Sequence, residues 1–309
     1  MDYFSGFSGY GGFELGIEAV LPDARCIGFS EIDKWAKGVY RHRFPEHKSY
    51  GDATEIIPAG LPDFDLFVGG FPCQAFSIAG NRQGLGDNRG TLFLDVARIL
   101  HHKRPKWVLL ENVRGLLSQG GGQTFASIYR FLTNAGYTVG WQVVNSLQFG
   151  VPQNRERVFI IGHLGTERVD WSEIFPLPNA EGTPVQKLPS STALDANYWK
   201  CIDNHGQRTA IVYWKNSSEK WVDEKREFAN SLKTQTDLNR QQLIKEDVEH
   251  IRMMTPTECE RLQGVPDGWT EKGIVDGKLQ EISDTQRYKM LGNGVTVPVV
   301  SYFIEQMFK

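Results

Sequence analysis

From Met1 to about Gly162, short β-rich runs alternate with stretches whose apolar residues recur at helical spacing, and no other feature constrains the fold as much. Ala24 to Ser30, Phe64 to Gly69, Trp107 to Leu110, Tyr137 to Val144 and Val158 to Gly162 read as strands. Gly12 to Val20, Asp33 to Phe44, Gly90 to His102 and Thr124 to Ala135 read as helices, with Asp33 as an N-cap whose carboxylate can accept the free N–H groups of the first turn. Such a chain is an α/β protein, a mostly parallel sheet with helices on both faces. Its ligand crevice is expected at the carboxyl ends of the strands, so residues close behind strands are the first candidates for chemistry.

The alternation then stops. Phe175 to Pro189 holds four prolines, and the stretch onward to His250 has polar runs and three of the eight tryptophans without a clear period, which reads as a second unit. Helical spacing returns at Thr255 to Gln263, where Thr255 and Pro256 fit the cap and first helical residue and Glu258 the capping-box position. Val295 to Met307 is apolar enough to be a buried closing element.

With 309 residues, 40% hydrophobic and 23% charged, the chain can bury the core of one large or two medium domains, which excludes a disordered or collagen-like protein. No run approaches the roughly 18 apolar residues of a membrane span. Met1-Asp2-Tyr3 does not open a basic and then apolar leader, so a cytoplasmic location is expected. Cys26, Cys73, Cys201 and Cys259 are too far apart for any C-x2-C metal pair, and no metal is expected. A net charge of -3 does not advertise a polyanionic partner, although a local basic groove disappears in a whole-chain sum.

Four segments carry the residue types of a reaction site. Phe7-Ser8-Gly9-Tyr10-Gly11-Gly12-Phe13-Glu14 follows the first strand and opens the first helix, and its glycines let backbone approach a ligand closely. Glu31 lies about 20 residues further on, at the end of the next strand, where a carboxylate can accept ribose hydroxyls. Asp52 is a third acidic candidate at the same edge; taken singly, Glu31 or Asp52 is an ordinary loop carboxylate. In Val68-Gly69-Gly70-Phe71-Pro72-Cys73-Gln74-Ala75-Phe76-Ser77, Cys73 is placed like a nucleophile on a loop, whereas Cys26, Cys201 and Cys259 read as core filler. Glu111-Asn112-Val113 comes just after a strand. In Gln153-Asn154-Arg155-Glu156-Arg157, the arginines two positions apart point the same way and can reach one site.

In their order and spacing, Pro72-Cys73-Gln74, Glu111-Asn112-Val113, Gln153 to Arg157, Arg261-Leu262-Gln263-Gly264 and Gly292-Asn293-Gly294-Val295 resemble the cytosine-5 DNA methyltransferases of bacterial and phage restriction-modification systems. The resemblance covers Met1 to Gly162 and Arg252 to Lys309. It implies a Rossmann-like, S-adenosylmethionine-dependent catalytic domain, residues 1–178 plus 287–309, and a smaller target-recognition domain, residues 179–286. One departure is Ser5, which stands two positions before Phe7 where the family usually has an acid; the tripeptide Phe-Ser-Gly occurs twice, at Phe4 and at Phe7.

The same resemblance implies Cys73 as nucleophile at carbon 6 of cytosine, Glu111 at N3, Arg157 at O2 and Arg155 orienting the cysteine loop. It assigns Phe7, Gly9, Gly11, Gly12, Glu31, Ile32, Asp52, Pro72 and Asn293 to S-adenosylmethionine. Gln74, beside the cysteine, and Ser77, Arg82 and Arg89, on an expected lid from Ser77 to Arg89, would face double-stranded DNA. Carbon 6 lies inside the base stack, so the cytosine must be flipped out, at a cost on the order of a few kcal/mol. The segment from Thr166 to His250 has 11 Lys plus Arg against 14 Asp plus Glu, a net of -3, so its claim to DNA rests on polar readout residues such as Gln235 and Arg240, while Ser231-Leu232 loosely resembles the Thr-Leu pair of the family's recognition domain. A monomer is expected, with room for a cognate restriction endonuclease acting separately. Three rivals remain: an RNA cytosine methyltransferase, a catalytically retired DNA-binding protein on the same scaffold, and a nicotinamide-dependent dehydrogenase, which leaves Cys73, Glu111 and Arg157 unexplained.

Overall fold

The computed structural model describes residues 1–72, 92–175 and 254–309, together with the backbone of five short strands between 212 and 253. In chain order the first region holds β1 (Asp2–Gly6), α1 (Gly12–Glu18), β2 (Arg25–Ser30), α2 (Lys34–Arg43), β3 (Leu66–Gly69), α3 (Leu92–Lys103), β4 (Trp107–Val113), α4 (Gln123–Asn134), β5 (Tyr137–Asn145), β6 (Gln153–Asn154), β7 (Glu156–Leu164) and α5 (Trp171–Ile174). The backbone strands β8 (Val212–Lys215), β9 (Trp221–Val222), β10 (Ala229–Asn230), β11 (Gln242–Lys245) and β12 (Ile251–Met253) follow. The chain ends with α6 (Pro256–Leu262), β13 (Lys272–Val275), β14 (Lys278–Glu281), α7 (Asp284–Asn293) and α8 (Val297–Met307). Among the described residues no helix is long and apolar enough to cross a membrane.

The main sheet has the order β2-β1-β3-β4-β7-β5 and is parallel except at β7, which is antiparallel to both neighbours. All four residues of β3 are buried, as a central strand covered on both faces requires. Side chains alternate faces along each strand. Phe4, Phe67, Val108, Leu110 and Ile160 pack against α3 and α4 through Phe93, Leu100, Ile128 and Leu132. Tyr3, Leu66, Val68, Leu109, Phe159 and Ile161 pack against α1 and α8 through Phe13, Ile17, Val300, Phe303 and Ile304. This is the Rossmann-like, three-layer arrangement expected from the alternation, with α8 as the closing element.

Several boundaries differ from expectation. Helix α1 stops at Glu18 rather than Val20. Strand β4 continues to Val113, so Glu111 and Asn112 lie on the strand and not after it; β7 starts at Glu156 and its pairing, from Glu111 opposite Phe159 to Val113 opposite Arg157, is what prolongs both. The capping box of α6 forms as read, with Thr255 Oγ1 accepting from the Glu258 N–H and Glu258 accepting from the Thr255 N–H.

A third core joins Ala36 and Val39 of α2 to Met254, Cys259, Leu262, Val275, Ile282, Met290 and Leu291. The stretch from Met254 to Ile282, expected in the second domain, therefore shares a core with the first. The backbone of β12, β11, β8 and β9 forms an antiparallel sheet in that order, and β10 pairs parallel with β6.

Candidate active site

The reversed strand explains how the site is assembled. Because β7 runs against β4, its beginning lies at the carboxyl edge of the sheet, where β1, β2, β3 and β4 all end. Arg157 therefore arrives beside Glu111 on the same face of the sheet, displaced diagonally by two residues.

At that edge β1 ends at Gly6, and Phe7 turns the chain with φ 54, a left-handed conformation uncommon for a bulky residue. Ser5 is fully buried within the sheet, opposite Phe29 and Val68. The loop is thus built from the second Phe-Ser-Gly copy, and the departure at Ser5 falls on the strand. Gly11 has φ 96, and a Cβ there would come within 2.4 Å of the Phe44 ring. Gly11 therefore packs against Phe44 instead of lining the cavity described below.

Glu31 is heavily committed to backbone. Its Oε2 accepts from the Gly9 N–H at 2.8 Å and its Oε1 from the Ile32 and Asp33 N–H groups, each at 2.8 Å. Burial raises its pKa, while these donors pull it back. Beside it Asp33 caps α2 with Oδ1 and accepts from Lys289 Nζ at 2.7 Å with Oδ2. Asp52 Oδ1 accepts from the Thr54 N–H at 2.9 Å, capping a short turn.

On the other side of the cavity, Glu111 is 7% exposed. Arg157 Nε stands 3.1 Å from Glu111 Oε1, an ion pair in which, among the described residues, that oxygen lacks a well-directed hydrogen bond. Burial drives the Glu111 carboxyl upward, opposed by Arg157 and then Arg155. Asn112 Nδ2 donates to the Phe71 carbonyl at 2.8 Å and so holds the backbone two residues before Cys73. Arg155 is 1% exposed, and burial with the neighbouring Arg157 brings its guanidinium down to about 9. Its partners among the described residues are the Gly292 and Gly294 carbonyls, at 3.1 and 2.6 Å.

Phe7, Gly9, Gly12, Glu31, Ile32, Asp52, Pro72 and Asn293 line one cavity of about 410 Å³ together with Glu111, Arg155 and Arg157. Among the described residues, the sequence-predicted cofactor and catalytic residues are thus contiguous, apart from Gly11. Cys73, Gln74, Ser77, Arg82, Arg89, Ser231, Gln235 and Arg240 lie outside the described residues. Two further thiols are described: burial pushes Cys26 up to about 12 and raises Cys259 as well. Among the described residues no group of His, Cys, Asp and Glu is arranged to hold a metal. Lys289, Tyr10 and Gln263 also hold this edge together; their partners lie so far away in sequence that no local pattern announced them.

The sequence pattern of the C-5 cytosine-specific DNA methylases matches residues 1–309. The chain belongs to the C-5 cytosine-specific DNA methylase family. Membership carries the activity: these enzymes are DNA cytosine-5 methyltransferases. The chain is 36% identical over 312 residues to the Type II methyltransferase M.NlaX of Neisseria lactamica, covering 97% of this chain and 94% of that one. It is 36% identical over 311 residues to M1.ScrFI of Lactococcus lactis subsp. cremoris, covering 98% and 77%. In fold it is similar to the S. pombe Dnmt2 methyltransferase, with a TM-score of 0.70 at 20% identity over 99% of this chain and 97% of that chain. A prophage-encoded DNA modification methyltransferase of E. coli has a TM-score of 0.65 at 18% identity, over 100% and 98%.

Proposed function

We propose that this methylase acts on a flipped-out cytosine within a specific duplex DNA sequence, through a covalent bond between Cys73 and carbon 6 of the base. The observation that carries the proposal is the Glu111–Arg157 pair, 3.1 Å apart in a cavity whose wall includes Pro72, the residue before Cys73. Carbon 5 of cytosine is a poor nucleophile until the ring is made electron-rich. Attack by the Cys73 thiolate on carbon 6 does this, and the electron density appears at N3 and O2. Glu111, its proton held more firmly by burial, donates to N3; the Arg157 guanidinium binds O2. Asn112 fixes the carbonyl of Phe71 and with it the approach of the cysteine loop.

The donor set suits S-adenosylmethionine. Phe7 and the 66%-exposed Ile32 would offer apolar surface to a purine, Glu31 keeps acceptor capacity for ribose hydroxyls, Asp52 could accept from the adenine amino group, and Asn293 lies in the same cavity wall. When bound, that cofactor supplies the electrophilic methyl group. Loss of the carbon 5 proton and departure of Cys73 then restore the aromatic ring.

Double-stranded DNA is the substrate in this reading, and the chain works as a monomer. A restriction endonuclease acting separately is a further partner, because its relatives are Type II methyltransferases. The recognition domain is read within residues 179–286, of which Met254 to Ile282 shares a core with α2. Bisulfite sequencing of plasmid from cells expressing the protein tests the proposal. Methylation of cytosine within one recurring sequence is expected; an unmodified plasmid, with Cys73→Ser giving the same result, overturns it.

A further inference from the structure

The turn that joins α7 to α8 is held one carbonyl at a time. Gln263 Nε2 donates to the Leu291 carbonyl at 2.7 Å. Arg155 Nη1 and Nη2 donate to those of Gly292 and Gly294. Tyr10 donates its hydroxyl to the Val295 carbonyl at 2.9 Å. The Tyr10 ring passes so near that a Cβ on Gly294 would meet it at 2.1 Å. Among the described residues, 293 alone interrupts this series, and Asn293 is exposed in the cavity wall.

Behind the turn the holders are themselves connected. Thr296 Oγ1 donates to Gln263 Oε1 at 2.8 Å and lies 2.9 Å from Ser146 Oγ, and the Val297 N–H donates to the Gln263 carbonyl at 2.9 Å. Gln263, Arg155, Thr296 and Ser146 are each at most 3% exposed. Gln263 uses both ends of its side-chain amide, one on each side of the turn, so its orientation is fixed by two partners at once. Ser146, Thr296 and Gln263 hydrogen-bond one another in a buried chain, which leaves it few alternative arrangements.

We infer that Thr296, Gln263 and Arg155 are positioning residues that hold the Gly292-Asn293-Gly294 turn and thereby present Asn293 to the cofactor. None of the three has to touch the cofactor for this. The described partners of Arg155 give it this duty at the turn, distinct from the orienting of the cysteine loop that the resemblance assigned to it. Thr296 is the informative member, since it lies behind the turn and is absent from the cavity wall. The inference rests on the proposal that the cavity takes S-adenosylmethionine.

The test is calorimetric binding of S-adenosylmethionine and S-adenosylhomocysteine to the full chain and its variants, with thermal unfolding recorded alongside. Thr296→Val keeps the shape, removes the hydroxyl and strands Gln263 Oε1, so affinity falls by about tenfold. Thr296→Ser restores the hydroxyl and brings binding back to within about twofold of wild type. Asn293→Ala weakens binding by itself, and the double variant Thr296→Val/Asn293→Ala is no weaker than Asn293→Ala alone, because the two act through one contact. Should Thr296→Val fail to fold, Ser146→Ala, which removes the hydroxyl next to Thr296 in the same chain, takes its place. Losses that add in the double variant, or wild-type affinity in Thr296→Val, overturn the inference while the cofactor reading stands. Absence of binding by the wild type overturns both.

Discussion

The guanidinium of Arg157 stands 3.1 Å from the carboxylate of Glu111, across the seam where β7 runs against β4. The two effects on Glu111 oppose each other. Burial disfavours its charged form and is the larger, and the arginines disfavour its neutral form. The outcome is a carboxyl that keeps its proton to higher pH than a free glutamate while remaining next to a fixed positive charge.

Glu111→Gln should therefore depress methyl transfer by about two to four orders of magnitude, since general-acid assistance is of that size. DNA binding should change little, because the donated proton matters chiefly as charge develops on the ring. The sign of the pH effect follows from the raised pKa: the competent form is protonated, it persists above the ordinary glutamate range, and activity declines as pH rises through the raised value. Rate profiles of wild type and Glu111→Gln at saturating DNA would show this declining limb only in the wild type. Equal rates for the two proteins would leave Glu111 a structural residue.

Glu31→Ala should weaken S-adenosylmethionine binding at least about tenfold, the loss expected when charge-assisted hydrogen bonds worth roughly 1.5 to 3 kcal/mol are removed. Part of that loss is indirect, because the Gly9, Ile32 and Asp33 N–H groups lose their acceptor. Calorimetry with NAD as a control completes the test. Binding of NAD and not of the sulfonium compound would sink the cofactor assignment.

Glu14 predicts a stability effect separate from catalysis. It is fully buried in α1, accepts from the Tyr40 hydroxyl at 2.9 Å, and is pushed by burial from 4.5 up to about 7. A carboxyl raised in the folded state stabilises fully below its unfolded value, and this contribution is lost as pH rises through the folded value. The wild type should lose stability between about pH 4.5 and about pH 7, by roughly 3 kcal/mol. Glu14→Gln should lack that loss, so thermal melts across this range should show the variant gaining on the wild type as pH rises. His47 lies 3.0 Å from the same Tyr40 hydroxyl, so the comparison is made in a His47→Gln background, which removes its titration. A pH-independent difference would contradict the assignment.

What was legible in the sequence was local. The Phe7 to Gly12 loop, the Asp33 cap and the Thr255–Glu258 capping box are each written within a few residues, and they form as read. The direction of β7 was not legible, because periodicity marks a strand without saying which way it points. Glu111 and Asn112 were placed beyond β4 since neither favours a strand, yet pairing with Phe159 and Val158 carries the strand past them. The Val39–Val275 core was not legible for a related reason: loss of periodicity shows where a pattern ends, not where a core ends. The Asp33–Lys289 and Arg155–Gly292 contacts join residues remote in sequence, and only the fold brings them together.

Cys73 should form a covalent adduct with duplex DNA carrying 5-fluorocytosine at the target position. After thiolate attack at carbon 6 and methyl transfer, turnover requires a proton to leave carbon 5, and fluorine cannot leave as a cation. The bond from sulfur to carbon 6 is then trapped. Trapping should require S-adenosylmethionine, because only the methylated ring is blocked, and the adduct should survive denaturing electrophoresis. The described thiols are poor rivals: burial holds Cys26 near 12 and raises Cys259, so neither is appreciably a thiolate at neutral pH. Cys73→Ser should abolish the adduct, whereas serine at position 26, 201 or 259 should leave it intact. Peptide mapping by mass spectrometry decides the matter. An adduct on another cysteine, or none on a confirmed target, would remove Cys73 from the mechanism and with it the reason for placing Glu111 at N3.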